Sequence, residues 1–302
     1  MNRRQFATAI AAAAGTAAIA PDVSGHNRGS VSPVPFKLSV MLWTVFPKLP
    51  FEQRLEKAAE AGYQAVELVD EYKNWPPEEF QRVGRKRRSL GIVFDTIANV
   101  QHGVANPGDR DAFLSEVTQL IEIGHKLECP AIIVLSGNRV PGLSRQQQHD
   151  SCVEGLKRAA DAAAKNGMTL LLENIDPEEN PEYYLTSVAE GFEITRKVDN
   201  PHVRFLYDFY HEQIAEGNLI KKLEDNIDQV GAVHIADVPG RHAPGTGEIN
   251  YRNIFRRLAE LNYNRYVAME FLAGNDAVGE LRAARKFAIA SGSEGSRTGS
   301  FQ

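Results

Sequence analysis

The amino-acid sequence predicts an α/β protein folded as a single (β/α)8 TIM barrel. Eight short segments rich in β-branched and aromatic residues recur at intervals of roughly 30 residues from Lys37 onward, which is the repeat of a strand–helix unit. Several are almost continuously apolar, as in Ala131–Leu135, and strands buried on both faces of a parallel sheet have this composition. Strict alternation of eight such strands with helices favours a closed barrel over an open sheet.

The segments between the predicted strands have the periodicity of amphipathic helices. In Asp111–Leu127 the apolar residues fall on one stripe, and Gln146–Asn166 ends at Gly167, which suits the left-handed conformation that closes many helices. No Gly-x-Gly-x-x-Gly motif follows the first strand, which argues against an open dinucleotide-binding sheet. The strands are predicted at Leu38–Trp43, Ala65–Val69, Ile92–Ala98, Ala131–Leu135, Thr169–Glu173, Val203–Tyr207, Gly231–Ile235 and Tyr266–Glu270.

Four segments are predicted along the chain, beginning with a twin-arginine-type export signal at residues 1–20. Arg3 and Arg4 precede an uncharged run of small and apolar residues that is too short to span a membrane. The protein is therefore expected to be exported to the periplasm, with the signal either cleaved or retained as an N-terminal anchor, and with no stable membrane span beyond it. The remaining segments are a linker at 21–36, the barrel at 37–290 and a disordered tail at 291–302.

The composition is that of an ordinary globular protein, with 43% hydrophobic residues, 24% charged residues and a net charge of −5. Because acidic and basic residues are interspersed, the surface lacks the positive field of a nucleic-acid-binding protein, and no nucleic-acid partner is expected. Cys129 and Cys152 are too few for a disulfide framework and lack metal-ligand spacing. They are expected to be buried thiols, and the sequence leaves their pairing open.

The ends of the last four predicted strands carry four polar side chains, Glu173, Asp208, His234 and Glu270. In a barrel of this kind the chemistry lies where strands meet the loops that follow them. Neighbouring strands are about 5 Å apart, so the four side chains would surround one point. Burying three carboxylates with an imidazole is costly unless a cation is present. Three oxygen donors and one nitrogen donor therefore predict one divalent metal, Mn²⁺ or Mg²⁺, with Co²⁺ as an alternative.

The sequence around these residues resembles the hydroxypyruvate isomerase family of the xylose-isomerase-like TIM-barrel superfamily, over most of residues 37–288. The resemblance implies that Glu173 and Glu270 are paired acid/base residues that also bind the metal. It implies that Asp208 and His234 complete the metal site. The stretches that carry the resemblance are Leu172–Pro177, Tyr207–His211, His234–His242 and Gly247–Tyr251.

The resemblance also implies substrate-binding roles for His211 and Arg241, which follow the sixth and seventh strands. Arginine is permanently cationic and can hold a carboxylate through two parallel hydrogen bonds, so Arg241 suits an acidic substrate. Glu67, at the end of the second strand, and His102, in the loop after the third, are predicted to reach the barrel mouth and contact the substrate. A rim or structural role is the alternative for both residues.

Together these residues predict a metal-dependent isomerase of a small hydroxy-carbonyl or sugar substrate. One glutamate would remove a carbon-bound proton to form an enediolate, and the other would return a proton. Three alternatives stay open: a ketose 3-epimerase or other sugar isomerase, an exported sugar-binding barrel without catalysis, and a phosphodiesterase resembling the endonuclease IV branch. Phe271–Gly274 departs from the hydroxypyruvate isomerase pattern and leaves the substrate open. The resemblance also implies a homodimer or homotetramer.

Overall fold

A computed structural model describes residues 34–298 of the chain. Along this part of the chain, eight strands alternate with helices in the predicted order. The strands are β1 (Lys37–Val40), β2 (Ala65–Leu68), β3 (Val93–Ile97), β4 (Ala131–Leu135), β5 (Thr169–Glu173), β6 (Val203–Asp208), β7 (Val230–Ile235) and β8 (Tyr266–Met269).

The helices begin and end at residues suited to those positions. The longest helix between two strands, α5, begins at a capping box: the hydroxyl of Ser144 accepts the N–H of Gln147, and the Gln147 side chain accepts the N–H of Ser144. The helices are α1 (Leu42–Val45), α2 (Phe51–Glu60), α3 (Pro77–Ser89), α4 (Arg110–Leu127), α5 (Arg145–Lys165), α6 (Val188–Val198), α7 (Phe209–Ala215), α8 (Leu219–Asn226), α9 (Tyr251–Glu260) and α10 (Ala277–Thr298).

The strands form one parallel sheet that closes on itself. Hydrogen-bonded neighbours follow the order β1-β8-β7-β6-β5-β4-β3-β2, and every named pair is parallel. A parallel bridge between Met41, just after β1, and Glu67 in β2 joins the two ends of the sheet. This arrangement confirms the predicted (β/α)8 barrel.

Alternate residues of each strand face the barrel interior or the surrounding helices. Leu171, Leu206 and Ala232 belong to a small buried cluster inside the barrel, separate from the large cluster between strands and helices. Two residues further along each of these strands, the side chain that points inward is polar. The alternation that fills the interior with apolar groups thus also aims Glu173, Asp208 and His234 at the barrel axis.

The first predicted strand is longer than the strand in the structure. It was expected to reach Trp43, but β1 ends at Val40 and Leu42–Val45 form the short helix α1. The hydroxyl of Thr44 donates to the carbonyl of Met41, which stabilises this turn. Trp43 is therefore an exposed helical residue and not the end of a strand.

Both predicted ends of the barrel need correction. Val34 and Phe36, assigned to the linker, are buried and belong to the hydrophobic core. Residues 291–298, assigned to a disordered tail, continue helix α10 to Thr298. The reason is packing, because an added Cβ at Gly292 would lie 2.6 Å from a methyl group of Val34 and 3.0 Å from the Phe36 ring. Because Gly292 has no side chain, helix α10 lies directly against Val34 and Phe36.

The predicted export signal, most of the linker and the last four residues of the tail lie outside the described residues. Among residues 34–298, no helix combines the length and the apolarity needed to cross a bilayer. Cys129 and Cys152 are both buried and unpaired, in agreement with the expectation of buried thiols.

The packing of Gly292 gives a stability prediction. Gly292→Val places a branched side chain against Val34 and Phe36, and overpacking of this kind costs about 1–3 kcal/mol of unfolding free energy. Urea denaturation followed by circular dichroism measures the loss.

Gly84→Val is the matched control, since Gly84 also lies inside a helix but an added Cβ there is 3.5 Å from the flexible end of Arg88. This variant is expected to stay within about 0.5 kcal/mol of the parent protein. Equal stabilities of the two variants would show that the C-terminal segment does not pack against residues 34–36.

Candidate active site

The structure brings the four strand-end residues together at one end of the barrel. One ligand atom from each of Glu173, Asp208, His234 and Glu270 lies within 4.8 Å of the others, and all four residues are buried. Asp208 lies directly opposite His234 in the register of β6 and β7. Glu270 follows β8, and its N–H donates to the carbonyl of Ile235 at 3.0 Å. The barrel's closure therefore places the four donors around a common point.

The imidazole of His234 lies at the centre of this group. Its Nδ1 is 2.7 Å from Oε2 of Glu270 and 3.5 Å from Oε1 of Glu173, and its Nε2 is 2.9 Å from Oε2 of Glu67. Although these distances are short, the ring N–H directions are poorly aligned with the oxygens. Within residues 34–298, neither ring nitrogen nor Oε2 of Glu270 has an aligned hydrogen-bond partner.

Buried donors that converge without aligned hydrogen bonds fit a metal ion. Polar atoms in a protein interior are normally hydrogen-bonded, and those left without a partner need an explanation. The three carboxylates offer hard oxygen ligands and His234 offers one nitrogen, a donor set suited to Mg²⁺, Mn²⁺ or Co²⁺. The residues present therefore match the requirements of a divalent cation.

The two glutamates have different electrostatic surroundings. Burial is the largest influence on both and raises a carboxyl pKa. For Glu173 burial prevails over the contact and charge of His234, so its pKa lies above the ordinary value. For Glu270 the charges of Arg241 and His234 together outweigh burial, so its pKa is lowered. The two groups thus favour opposite protonation states at one site, the condition that acid/base pairs meet.

Asp208 connects the metal-binding group to the helix that follows β6. Its Oδ1 accepts the N–H groups of Tyr210 and His211 and so caps α7, while its Oδ2 lies 3.6 Å from Nε2 of His211. The His211 ring is held on its other side by Asp176, at 2.6 Å. Burial is the largest single influence and lowers the pKa of His211. The charge of Asp208 and the hydrogen bond to Asp176 together outweigh it, so the pKa is raised to about 9. His211 is a cationic donor beside the cluster.

Arg241 reaches the cluster from the loop after β7. Its Nη2 lies 2.9 Å from Oε1 of Glu270, and its Nη1 lies 3.0 Å from Oε1 of Glu179. The guanidinium also lies near the faces of Trp43 and Tyr210, 5.9 and 5.2 Å from their ring centroids. The cation predicted to hold a substrate carboxylate is thus already bound to two carboxylates of the protein.

A buried aspartate, Asp237, shapes the loop that carries Arg241. Its two carboxylate oxygens accept four backbone N–H groups, those of Val238, Gly245, Gly247 and Ile249. A side chain at Gly247 would collide with the carbonyl of Val238, 2.1 Å from an added Cβ. The glycine-rich loop after β7 is therefore folded around the Asp237 carboxylate.

Two predicted substrate contacts, Glu67 and His102, have partners within the protein, and their contact with a substrate stays a prediction. Glu67 is fully buried, and its Oε2 lies 2.9 Å from Nε2 of His234, whereas Nδ1 of that ring faces Glu270 and Glu173. His102 pairs with Glu116 of α4 at 2.6 Å, and Glu116 also accepts the backbone N–H of His102. These bonds order the loop after β3, which is the structural role weighed as the alternative.

Three site residues were not singled out by sequence reasoning, namely Asp176, Glu179 and Asp237. Asp176 and Glu179 lie in the loop after β5, where a run of acidic residues has the composition of a solvated loop. For Asp237 a signal existed, because a polar residue two positions after an apolar strand preceded three closely spaced glycines.

The chain belongs to the xylose isomerase-like TIM barrel family, whose profile matches residues 55–290. A 2-oxo-tetronate isomerase from Pectobacterium atrosepticum is 30% identical over 239 residues, covering 78% of this chain and 91% of that protein. The hydroxypyruvate isomerase of Escherichia coli is 31% identical over 240 residues, covering 78% of this chain and 93% of that enzyme.

Among solved structures, one described as an AP endonuclease of family 2 from Brucella melitensis superposes with a TM-score of 0.75. It is 27% identical, and the match covers 81% of this chain and 96% of that one. The matches cover 91% and 93% of these two isomerases. The protein is an isomerase, as the sequence predicts.

Proposed function

We propose that the protein is a metal-dependent isomerase of a small hydroxy-carbonyl acid. The observation that carries the proposal is the convergence of two buried glutamates on one imidazole, with Glu270 and Glu173 lying 2.7 and 3.5 Å from Nδ1 of His234. Moving a hydrogen between neighbouring carbon atoms requires one group that accepts a proton and another that donates one. Two carboxylates with opposite protonation preferences supply both functions.

A divalent cation, Mn²⁺ or Mg²⁺ or alternatively Co²⁺, would be held by Glu173, Asp208, His234 and Glu270. When bound, such an ion polarises the substrate carbonyl and stabilises the negative charge that develops beside it. It would also offset the repulsion among the three carboxylates. Asp208, which caps α7 and has no proton-transfer role here, would serve only as a ligand and as an anchor for that helix.

The side chains of this chain would move the protons. One glutamate removes the proton from the carbon that bears the hydroxyl group, which gives an enediolate, and the other delivers a proton to the neighbouring carbon. A hydroxyl proton passes to the other oxygen, so carbonyl and hydroxyl exchange places and no atom is gained or lost. His211, held by Asp176, would donate a hydrogen bond to a substrate oxygen. The burial of these groups keeps water from quenching the intermediate.

Arg241 supports an acidic substrate. The names of the two relatives, 2-oxo-tetronate isomerase and hydroxypyruvate isomerase, describe acids of this kind for those proteins. In this chain Arg241 is 8% exposed, and its guanidinium already binds a carboxylate of the loop after β5, that of Glu179. A substrate carboxylate that displaces Glu179 would keep the same charge pairing.

A substrate panel with solvent deuterium tests the proposed reaction. We expect turnover of hydroxypyruvate or a 2-oxo-tetronate in preference to neutral ketoses, with deuterium incorporated on carbon from D₂O. Glu173→Gln and Glu270→Gln should each lower kcat by about 10²–10⁴-fold, because an amide cannot transfer the proton. NMR detects both the product and the label.

Glu178→Gln is the matched control, since Glu178 is an exposed carboxylate five positions after Glu173 and is expected to retain full turnover. Faster turnover of ketoses with inversion at one carbon would identify a 3-epimerase instead. An absence of carbon-bound deuterium with every compound would leave a binding barrel without catalysis, and full activity of both glutamine variants would refute the assignment of the glutamates.

Removal of the metal gives a separate prediction. Dialysis against a chelator should abolish turnover, and Mn²⁺ or Mg²⁺ should restore it. Because the ion would bind the folded state only, saturation at 100 times its Kd should raise the unfolding free energy by about 2.7 kcal/mol, visible as a higher Tm. A preparation that elemental analysis shows to be free of metal, yet that is fully active, would contradict the metal-dependent mechanism.

We also propose that the chain is exported by the twin-arginine route. Replacing the arginine pair, in the double variant Arg3→Lys with Arg4→Lys, should leave the protein in the cytoplasmic fraction of the expressing cells, because the route reads both arginines. Immunoblots of periplasmic and cytoplasmic fractions measure this. Arg28→Lys, in the segment after the signal, is the control and should leave export unchanged; equal export of the double variant would exclude this route.

A further inference from the structure

We propose that Glu67 is a positioning residue that orients His234 toward the metal, an inference that rests on the proposed metal-dependent function. The two ring nitrogens of His234 face different partners. Nδ1 lies 2.7, 3.5 and 4.0 Å from oxygens of Glu270, Glu173 and Asp208, whereas Nε2 lies 2.9 Å from Glu67. Nδ1 is therefore the nitrogen available as a ligand, and Nε2 is the nitrogen that Glu67 controls.

Glu67 has no other evident task. It is fully buried in β2, and neither of its oxygens has an aligned hydrogen-bond partner within residues 34–298. A carboxylate in the protein interior is strongly destabilising unless a cation or hydrogen-bond donors compensate it. Among the described ion pairs of Glu67, His234 supplies that compensation.

The barrel's closure fixes Glu67 in this position. The parallel bridge to Met41 joins β1 and β2 at residue 67 itself, and these are the strands where the sheet closes. Next to it, in the neighbouring strand β3, the buried Asp95 accepts the hydroxyl of Ser39 at 2.6 Å. Glu67 is thus held by a strand of the barrel and not by a loop, which suits a residue whose function is to orient the His234 ring.

The physical effect follows from the chemistry of the imidazole ring. When Nδ1 binds a metal it must have lost its proton, and the remaining N–H is then on Nε2. A carboxylate facing Nε2 stabilises this N–H, fixes the ring orientation and makes Nδ1 a stronger ligand. Losing such a partner behind a metal-binding histidine typically weakens metal binding by 10- to 100-fold.

The experiment measures Mn²⁺ affinity and not turnover. Metal-free protein is titrated with Mn²⁺, and free Mn²⁺ is followed by electron paramagnetic resonance. Glu67→Gln keeps the shape and one acceptor oxygen, and Glu67→Leu removes every acceptor. We expect Kd to rise about 10-fold in Glu67→Gln and about 100-fold in Glu67→Leu. The visible spectrum of bound Co²⁺ should also change, because the orientation of one ligand changes.

Glu212→Gln is the control for burial. Glu212 is also fully buried, but its ion-pair partner is Lys222 and not one of the four metal donors. Its replacement should leave the Kd for Mn²⁺ unchanged even where Tm shifts. A purely structural role for Glu67 would likewise lower Tm without changing Kd or the Co²⁺ spectrum, and that result would overturn the inference.

A second measurement uses the parent protein, so it stands even where the variants fold poorly. With ¹⁵N-labelled histidine and saturating Mg²⁺, the His234 signal should show a protonated Nε2 and an unprotonated Nδ1. The reverse pattern would overturn the inference. Equal Mn²⁺ affinity of parent and Glu67 variants would overturn it while leaving the metal-dependent function standing; no Mn²⁺ binding by the parent protein would overturn both.

Discussion

The repulsion among buried carboxylates is the constraint on which this end of the barrel depends. Glu67, Glu173, Asp208 and Glu270 all lie within 4.0 Å of one imidazole. Two unit charges 4 Å apart repel by about 4 kcal/mol at an effective dielectric constant of 20. One imidazole offsets only part of this repulsion, so further positive charge would stabilise the cluster.

Two cationic side chains of the protein supply part of that positive charge. Arg241 approaches Glu270 from the loop after β7, and His211 approaches Asp208 from helix α7. Neither cation is among the four predicted metal ligands. In the proposed mechanism a divalent ion would supply the remaining positive charge, and it would bind tightly because the fold has already brought its ligands together.

The sequence predicted the fold and the four central residues because both follow from local patterns. Strand β5 has the bounds that were predicted for it, and the polar residues at the ends of β5 to β8 converge because parallel strands in a barrel must end at one rim. The same rule predicted Glu67 at the mouth. The structure shows Glu67 fully buried beside His234, in the strand whose parallel bridge to Met41 closes the barrel.

Other features depend on contacts between distant parts of the chain, which a local pattern does not contain. The Ser- and Gly-rich stretch after Ile289 has the composition of a disordered tail, yet it is helical because its small residues fit against Val34 and Phe36. The role of Glu179 depends on an arginine 62 positions later in the sequence. Such contacts form only when the folded barrel brings the loops together.

In the proposed reaction, the contact of Arg241 with both Glu179 and Glu270 would link substrate binding to proton transfer. A neutral sugar would leave both pairs intact, so it would bind beside an arginine that is already satisfied. An acid would exchange its carboxylate for that of Glu179 and keep Arg241 against Glu270. Arg241 and His234 lower the pKa of Glu270. An acid bound in place of Glu179 would leave Arg241 beside Glu270, so this glutamate would stay ionised. The same guanidinium would thus favour acidic substrates and maintain the difference between the two glutamates that the proposed reaction needs.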